Sequence, residues 1–200
     1  LNKKSLLLGV IALLLSCIVG SSAKNSSFLE NVQASMGQEN DSGQSQDQPE
    51  IGVSALGYCV MNADTGEIVL QKNADEKLHP ASITKIMTAL LAIENCKMND
   101  TVVYSRKNLD SLTAEDSNIQ CQVGEKMSVK DCLYALMLSS ANETATALAE
   151  HIAGSSEAFA KLMNERAKQA GATDTHFANP NGLHDDNHYV TAYDMAMIMK

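Results

Sequence analysis

The sequence predicts an α/β chain of the α+β kind, an antiparallel sheet packed with helices. Three observations carry that prediction. Two apolar-rich runs, Val53 to Met61 and Glu67 to Gln71, flank the turn-forming stretch Asn62-Ala63-Asp64-Thr65-Gly66, which makes a hairpin. Apolar residues at Ile83, Ile86, Met87, Leu90 and Leu91 follow the i, i+3, i+4, i+7, i+8 spacing of a helix with one buried face. Further helical patterns recur downstream, separated by capping and stop signals.

In chain order, Lys3 and Lys4 precede an apolar run from Leu6 to Leu15, and Ser21-Ser22-Ala23 offers the small residues of a signal-peptidase site. Residues 1–23 are therefore expected to be an export signal cut after Ala23. Leu14-Leu15-Ser16-Cys17 is a lipoprotein-type alternative, with Cys17 as the lipid carrier. The run is short for a membrane-spanning helix. Residues 24–50 are rich in Ser, Gln, Asn, Asp and Glu and are expected to be a disordered linker. Order is expected from Ile51 onward.

After the hairpin, Pro80 marks the start of the first helix. Met98 to Lys126 is mixed, with a strand-like Val102-Val103-Tyr104 among polar loops. Val129 to Leu138 is a helix, with Val129, Leu133, Leu136 and Met137 as its apolar side. Another runs from about Glu143 to Ile152 and is closed by Gly154. Ser156 is the expected cap of the next, with Phe159, Leu162, Met163 and Ala167 buried and Gly171 as the stop. Asn179-Pro180-Asn181-Gly182 is a turn. Thr191 and Asp194 have capping-box spacing and open a last helix.

Composition narrows the function. Hydrophobic content of 44 % supports a real core, and the ten methionines fall mostly at core spacing. A net charge of −9 and 4 % aromatic residues without Trp argue against nucleic acid as a partner, which needs basic patches and stacking rings. If Cys17 leaves with the signal, Cys59, Cys96, Cys121 and Cys132 remain, and no pair has Cys-x-x-Cys spacing. Export would permit disulfides among them; free thiols in a small-residue core are the other reading.

The chemistry lies in two motifs. Ser82 and Lys85 are three apart at the start of the first helix, close enough for their side chains to meet. The helix N-terminus favours developing negative charge there. Burial would lower the lysine's pKa toward that of a usable base, making Ser82 a candidate nucleophile and Lys85 its base. Taken alone, Ser-x-x-Lys also describes a capping serine and a solvated lysine, and the pattern recurs at Ser21 to Lys24. Ser140-Ala141-Asn142 lies between two helices. It can present a hydroxyl for proton relay and an amide for a substrate carbonyl or the lysine, or it can be a plain helix-linking turn.

Together the strings Pro80-Ala-Ser-Ile-Thr-Lys-Ile-Met-Thr-Ala, Leu138-Ser-Ser-Ala-Asn-Glu-Thr-Ala, Phe177-Ala-Asn-Pro-Asn-Gly-Leu and Tyr189-Val-Thr-Ala-Tyr-Asp-Met-Ala closely resemble the serine D-alanyl-D-alanine carboxypeptidases. These are low-molecular-mass penicillin-binding proteins of the bacterial cell wall. The resemblance covers about Ile51 to Lys200. It implies the penicillin-recognising serine-hydrolase fold, shared with β-lactamases. It implies that Ser82 attacks the penultimate D-Ala carbonyl of peptidoglycan stem peptides, with Lys85 as general base, Ser140 as proton relay and Asn142 as a substrate-binding group. β-Lactam antibiotics would acylate Ser82, and no metal or organic cofactor is implied. The family's Lys-Thr-Gly motif is not in the chain. The resemblance therefore implies an N-terminal part of a longer protein, inactive alone, with the rest of the sheet and a membrane-contacting anchor to follow.

Two other functions compete. A class A-like β-lactamase would add a Glu-x-x-x-Asn arrangement after Asn142, and no glutamate downstream of Asn142 has an asparagine four residues on. A non-catalytic wall-associated module rests only on the absent motif. His184-Asp185-Asp186-Asn187-His188 could suggest zinc, but the spacing is not that of a helical His-x-x-x-His site, and Gly182 makes the region a loop.

Overall fold

A computed structural model describes residues 53–110, 113 and 116–200 of the chain. The expected export signal, the lipoprotein alternative at Cys17, the second Ser-x-x-Lys and the linker all lie outside the described residues. Two antiparallel two-stranded sheets and six helices make up the described part. Strands β1 (Tyr58–Met61) and β2 (Ile68–Lys72) form the hairpin, with Tyr58 opposite Lys72 and Val60 opposite Leu70. Its turn is built as the residues demand. The Asn62 side chain accepts from the N–H groups of Asp64 and Thr65 at 2.9 and 3.1 Å, and Gly66 takes a left-handed φ of 81°. The strand begins at Tyr58 rather than Val53; ahead of it the Leu56 carbonyl accepts from the Asn73 side-chain amide at 2.9 Å instead of from a partner strand.

A single 3₁₀ turn, Ala81–Thr84, leads into α1 (Lys85–Asn95). Ser82 thus sits in the 3₁₀ turn, not in the first α-helical turn. Next come β3 (Thr101–Val103), α2 (Arg106–Asp110) and β4 (Lys126–Ser128), which pairs with β3 in the second sheet. Neither α2 nor β4 is signalled by the residue pattern. Each is too short to show periodicity, and β4 carries only one apolar residue, Met127. Helices α3 (Val129–Leu138), α4 (Asn142–Ala153), α5 (Ser156–Gln169) and α6 (Ala192–Met199) follow within a residue or two of expectation. Ser155, not Ser156, caps α5, its Oγ accepting from the Ala158 N–H. Thr191 caps α6 as expected, accepting from Asp194.

Helices α1 and α4 pack side by side between two core clusters. Met87 and Leu91 of α1 and Ala149 of α4 join Phe159, Met163 and Phe177 in one. Ala89 and Ala92 of α1 and Ala145, Ala147 and Leu148 of α4 join Tyr104, Cys132 and Leu136 in the other. Helix α1 therefore buries two faces, not one. Its second face is made of Ala89, Ala92 and Thr88, too small or polar to register in an apolar stripe, while Ile83 stays 41 % exposed. Small residues let the two helices approach closely on both sides. The four cysteines among the described residues are free thiols, and of these only Cys132 is buried. Among the described residues no helix is long and apolar enough to cross a membrane.

Candidate active site

Both central helices start at the same place. The Ser82 turn opens α1, and the Ser139–Asn142 link opens α4. Helix α3 ends when the Ser139 and Ala141 N–H groups close on the Ala135 carbonyl, and Ser140 between them takes a left-handed φ of 52°. A helix stop of this kind usually uses glycine. Here a serine occupies it, and its Oγ donates to Ser82 Oγ at 2.9 Å. Lys85 Nζ lies 3.2 Å from the same oxygen. Ser82 is exposed, whereas Lys85 is 2 % exposed. An accessible hydroxyl thus sits between a second hydroxyl and a buried amine.

Burial lowers the Lys85 pKa to about 8, with the negative charges of Asp116 and Glu143 holding it partly up. At that value roughly a tenth of the lysine is neutral near pH 7, against less than about a thousandth at the reference value. Asn142 is placed by its backbone: its N–H donates to the Ser117 carbonyl at 2.9 Å, and the residue is buried at the first turn of α4. Among the described residues no hydrogen bond joins its side chain to Ser82, Lys85 or Ser140. The structure therefore links three of the four sequence-predicted residues directly and sets the fourth beside them.

A loop from Phe177 to Val190 holds this arrangement. Lys85 Nζ donates to the Asn181 carbonyl at 2.7 Å, and Thr88 Oγ1 donates to the Pro180 carbonyl at 2.6 Å. Gly182, at φ 87°, lies against the Ser82 turn so closely that a Cβ there would fall 1.9 Å from the Ala81 carbonyl oxygen. Ala81 itself holds a left-handed φ of 46°. Asn179 braces the loop, its Oδ1 accepting from Gly182 N–H at 2.7 Å and its amide donating to Leu183 O at 2.8 Å. His188, 2 % exposed, sits beneath. Its Nδ1 accepts from Ala178 N–H at 3.3 Å, so the neutral tautomer donates from Nε2 to Thr84 Oγ1 at 2.9 Å. Burial pushes its pKa down to about 4, against the opposing charge of Asp185. Both ring nitrogens of His188 are thus engaged; in the His184–His188 stretch His184 and Asp186 form an ion pair at 3.4 Å on the surface, and Asp185 Oδ1 accepts from the Asn187 N–H at 2.8 Å.

Glu143 belongs to the site and was not singled out from sequence. It is fully buried beside Asn142, with Oε1 accepting from Ile119 N–H at 2.7 Å and Oε2 unpartnered. Only its place directly after Ser-x-Asn could have drawn attention to it. For the loop, Asn-Pro-Asn-Gly announced a turn but not its partner, since nothing local says which carbonyl receives a lysine 96 residues away.

The peptidase S11 family, described as D-alanyl-D-alanine carboxypeptidase, matches residues 42–200. The chain is 40 % identical over 156 residues to D-alanyl-D-alanine carboxypeptidase DacF of Bacillus subtilis, covering 76 % of this chain and 39 % of that protein. It is 35 % identical to DacC of Escherichia coli, covering 74 % and 39 %. Among solved structures, DacD from Francisella tularensis superposes with a TM-score of 0.69 at 35 % identity, over 82 % of this chain and 40 % of that one. Penicillin binding protein 5 from Haemophilus influenzae does so with a TM-score of 0.68 at 30 % identity, over 74 % and 45 %. The chain spans about two fifths of the length of these curated relatives. The family match across most of the chain and the shared fold agree with the Ser82-centred geometry, and the chain belongs to the D-alanyl-D-alanine carboxypeptidase family.

Proposed function

We propose that the protein is a serine-type D-Ala-D-Ala carboxypeptidase acting on peptidoglycan stem peptides, exported to work outside the cytoplasm, and acylated by β-lactams. One observation carries the site assignment: Ser82 Oγ is held between Ser140 Oγ at 2.9 Å and the buried Lys85 Nζ at 3.2 Å. In the neutral state Lys85 accepts the Ser82 proton as Oγ attacks the penultimate D-Ala carbonyl. The Ser82 turn opens a helix, and the positive backbone potential there suits the oxyanion that forms. Collapse of the adduct breaks the peptide bond, and Ser140 passes a proton to the departing D-Ala amine. A water molecule then hydrolyses the ester, restoring Ser82. Asn142, at the N-terminus of α4, is assigned to hold the substrate amide. The same first half of the cycle on a β-lactam leaves a stable acyl ester on Ser82.

The test is covalent labelling of the whole protein by a fluorescent penicillin, alongside D-Ala release. Ser82→Ala is expected to remove both, a loss of roughly 10⁴-fold or more, because the oxygen that forms the ester is gone. Labelling that survives the substitution assigns the nucleophile elsewhere. A β-lactamase is the alternative outcome, recognised by rapid turnover of penicillin instead of a lasting label.

A further inference from the structure

The central helices share their C-terminal ends as well as their N-terminal ends. Cys96 is the C-cap of α1, and His151 lies in the last turn of α4. Asp100 stands at the close of the turn that follows α1, where its carboxylate accepts from Lys97 N–H at 2.8 Å and its carbonyl from Val129 N–H at 2.9 Å. One ligand-type atom from each of Cys96, Asp100 and His151 lies within 4.8 Å of the other two. Two segments, the 96–100 exit of α1 and the last turn of α4, with His151 51 residues beyond Asp100 in the sequence, thus bring a thiol, a carboxylate and an imidazole to one point.

We infer that Cys96, Asp100 and His151 form a zinc site at the end of the α1–α4 pair opposite Ser82. Sulfur, nitrogen and oxygen donors together are a zinc set, and three protein ligands leave a fourth position for water. Two features of the fold point to a cation there. The C-terminal ends of two neighbouring helices converge, and each carries negative potential from its unpaired carbonyls. Among the described residues, neither the Cys96 thiol nor the His151 ring has a hydrogen-bond partner to compete with a metal. Ligand atoms around zinc are about 3.3–3.8 Å apart in a tetrahedron, so the group closes by about an ångström, which the exposed His151 side chain can absorb by rotation. On binding, the Cys96 S–H bond breaks, a zinc–sulfur bond forms, and the proton goes to solvent. The ion would tie the exit of α1 to the exit of α4, about 17 Å from the Ser82 end at the helical rise per residue. This inference does not depend on the proposed activity.

The test uses the protein in reduced, metal-free buffer, titrated with Co²⁺ as a spectroscopic stand-in for Zn²⁺. The expected result is saturation at one equivalent, with a near-ultraviolet thiolate-to-cobalt band and intense visible bands of a four-coordinate ion, all erased when Zn²⁺ is added. Cys96→Ser should remove the thiolate band while Cys59, Cys121 and Cys132 remain. His151→Ala, an exposed change that leaves the core intact, should weaken Co²⁺ affinity by about tenfold or more. Absence of the thiolate band in the wild-type protein overturns the inference. So does a band that persists in Cys96→Ser, or an affinity that His151→Ala leaves unchanged.

Discussion

Two helices of this molecule stop the same way with different residues, and the difference marks where function lies. Helix α4 ends at Gly154, with φ at 79° and nothing within 4 Å of where a Cβ would be. Helix α3 ends with Ser140 in the same left-handed region, φ 52°, although serine is strained there and glycine is not. The Gly154 end faces open space. The Ser140 end aims a hydroxyl at Ser82. Ala81, with φ 46°, is likewise strained beside Ser82, the proposed nucleophile. Two of the four non-glycine residues at positive φ among the described residues thus lie at the end of the α1–α4 pair where chemistry is proposed, the others being Asn73 and Gln120. Such strain persists only where the surroundings over-determine it; here Gly182 lies against Ala81, and Ser140 is tied to Ser82.

The largest expected contrast between the two ends is in catalysis. Lys85→Arg keeps a positive charge but removes a group that can become neutral, so β-lactam acylation is expected to fall by at least about 10³-fold. The wild-type acylation rate should rise with pH and level off above about 8, where the buried Lys85 loses its proton. A pH profile with no inflection near 8, or an arginine variant that acylates normally, removes Lys85 from the role of base.

Next in size is the loop clamp. Gly182→Ala would place a methyl group 1.9 Å from the Ala81 carbonyl oxygen and 2.4 Å from its carbon, both backbone atoms that cannot swing aside, in a residue already at positive φ. The expected cost is about 4 kcal/mol or more in urea unfolding, with the Ser82 turn displaced and labelling lost. A variant that stays within about 1 kcal/mol of wild type would mean that the loop can lift away from the turn, and that the strain at Ala81 is held by something else.

His188 gives the clamp a pH window. Its folded pKa, about 4, lies below the reference 6.5, so its contribution to stability is complete above about 6.5 and is lost as pH falls toward 4. A shift of that size is worth on the order of 3 kcal/mol, present only while the ring is neutral and bonded to Thr84 and Ala178. Thermal unfolding followed between pH 7 and 4 should show a steeper acid limb in the wild type than in His188→Gln, which itself starts lower. Parallel limbs would show that the acid sensitivity comes from other groups.

Much of this frame could be read from sequence because it is written in local signals. The turn at Asn62–Gly66, the stop at Gly154, the cap at Thr191 and the span Val129–Leu138 all depend on residues within one or two turns of each other. Ser82, Lys85 and Ser140 were found through spacing and order along the chain. What escaped depends on distant partners. Burial of α1 on a second face rests on alanines whose small size matters only once α4 lies beside them. The role of Asn181 lies in its backbone carbonyl, which no side-chain identity encodes. His188 appeared as one end of a surface His-Asp cluster, yet it is a buried strut, because Thr84 and Ala178 approach it from elsewhere in the chain.

The smallest expected effects are the sharpest test of the contrast, because they change the two stop residues in opposite senses. Ser140→Gly relieves the left-handed strain and is expected to stabilise the protein by about 0.5–1 kcal/mol, set against the lost hydrogen bond to Ser82 of similar size. The net change in midpoint is therefore expected to be close to zero or slightly positive, while acylation falls by about 10²-fold or more with the relay gone. Gly154→Ala meets no atom within 4 Å, so it pays only the conformational penalty, about 1 kcal/mol, with labelling unchanged. One substitution thus costs activity without stability, and the other costs stability without activity. Urea midpoints and penicillin-labelling rates for both variants decide the matter. If Ser140→Gly destabilises by more than about 1 kcal/mol, its hydroxyl is a structural tie rather than a strained functional group. If Gly154→Ala slows labelling, the far end of α4 is coupled to Ser82 through the helix, and the two ends cannot be treated as independent.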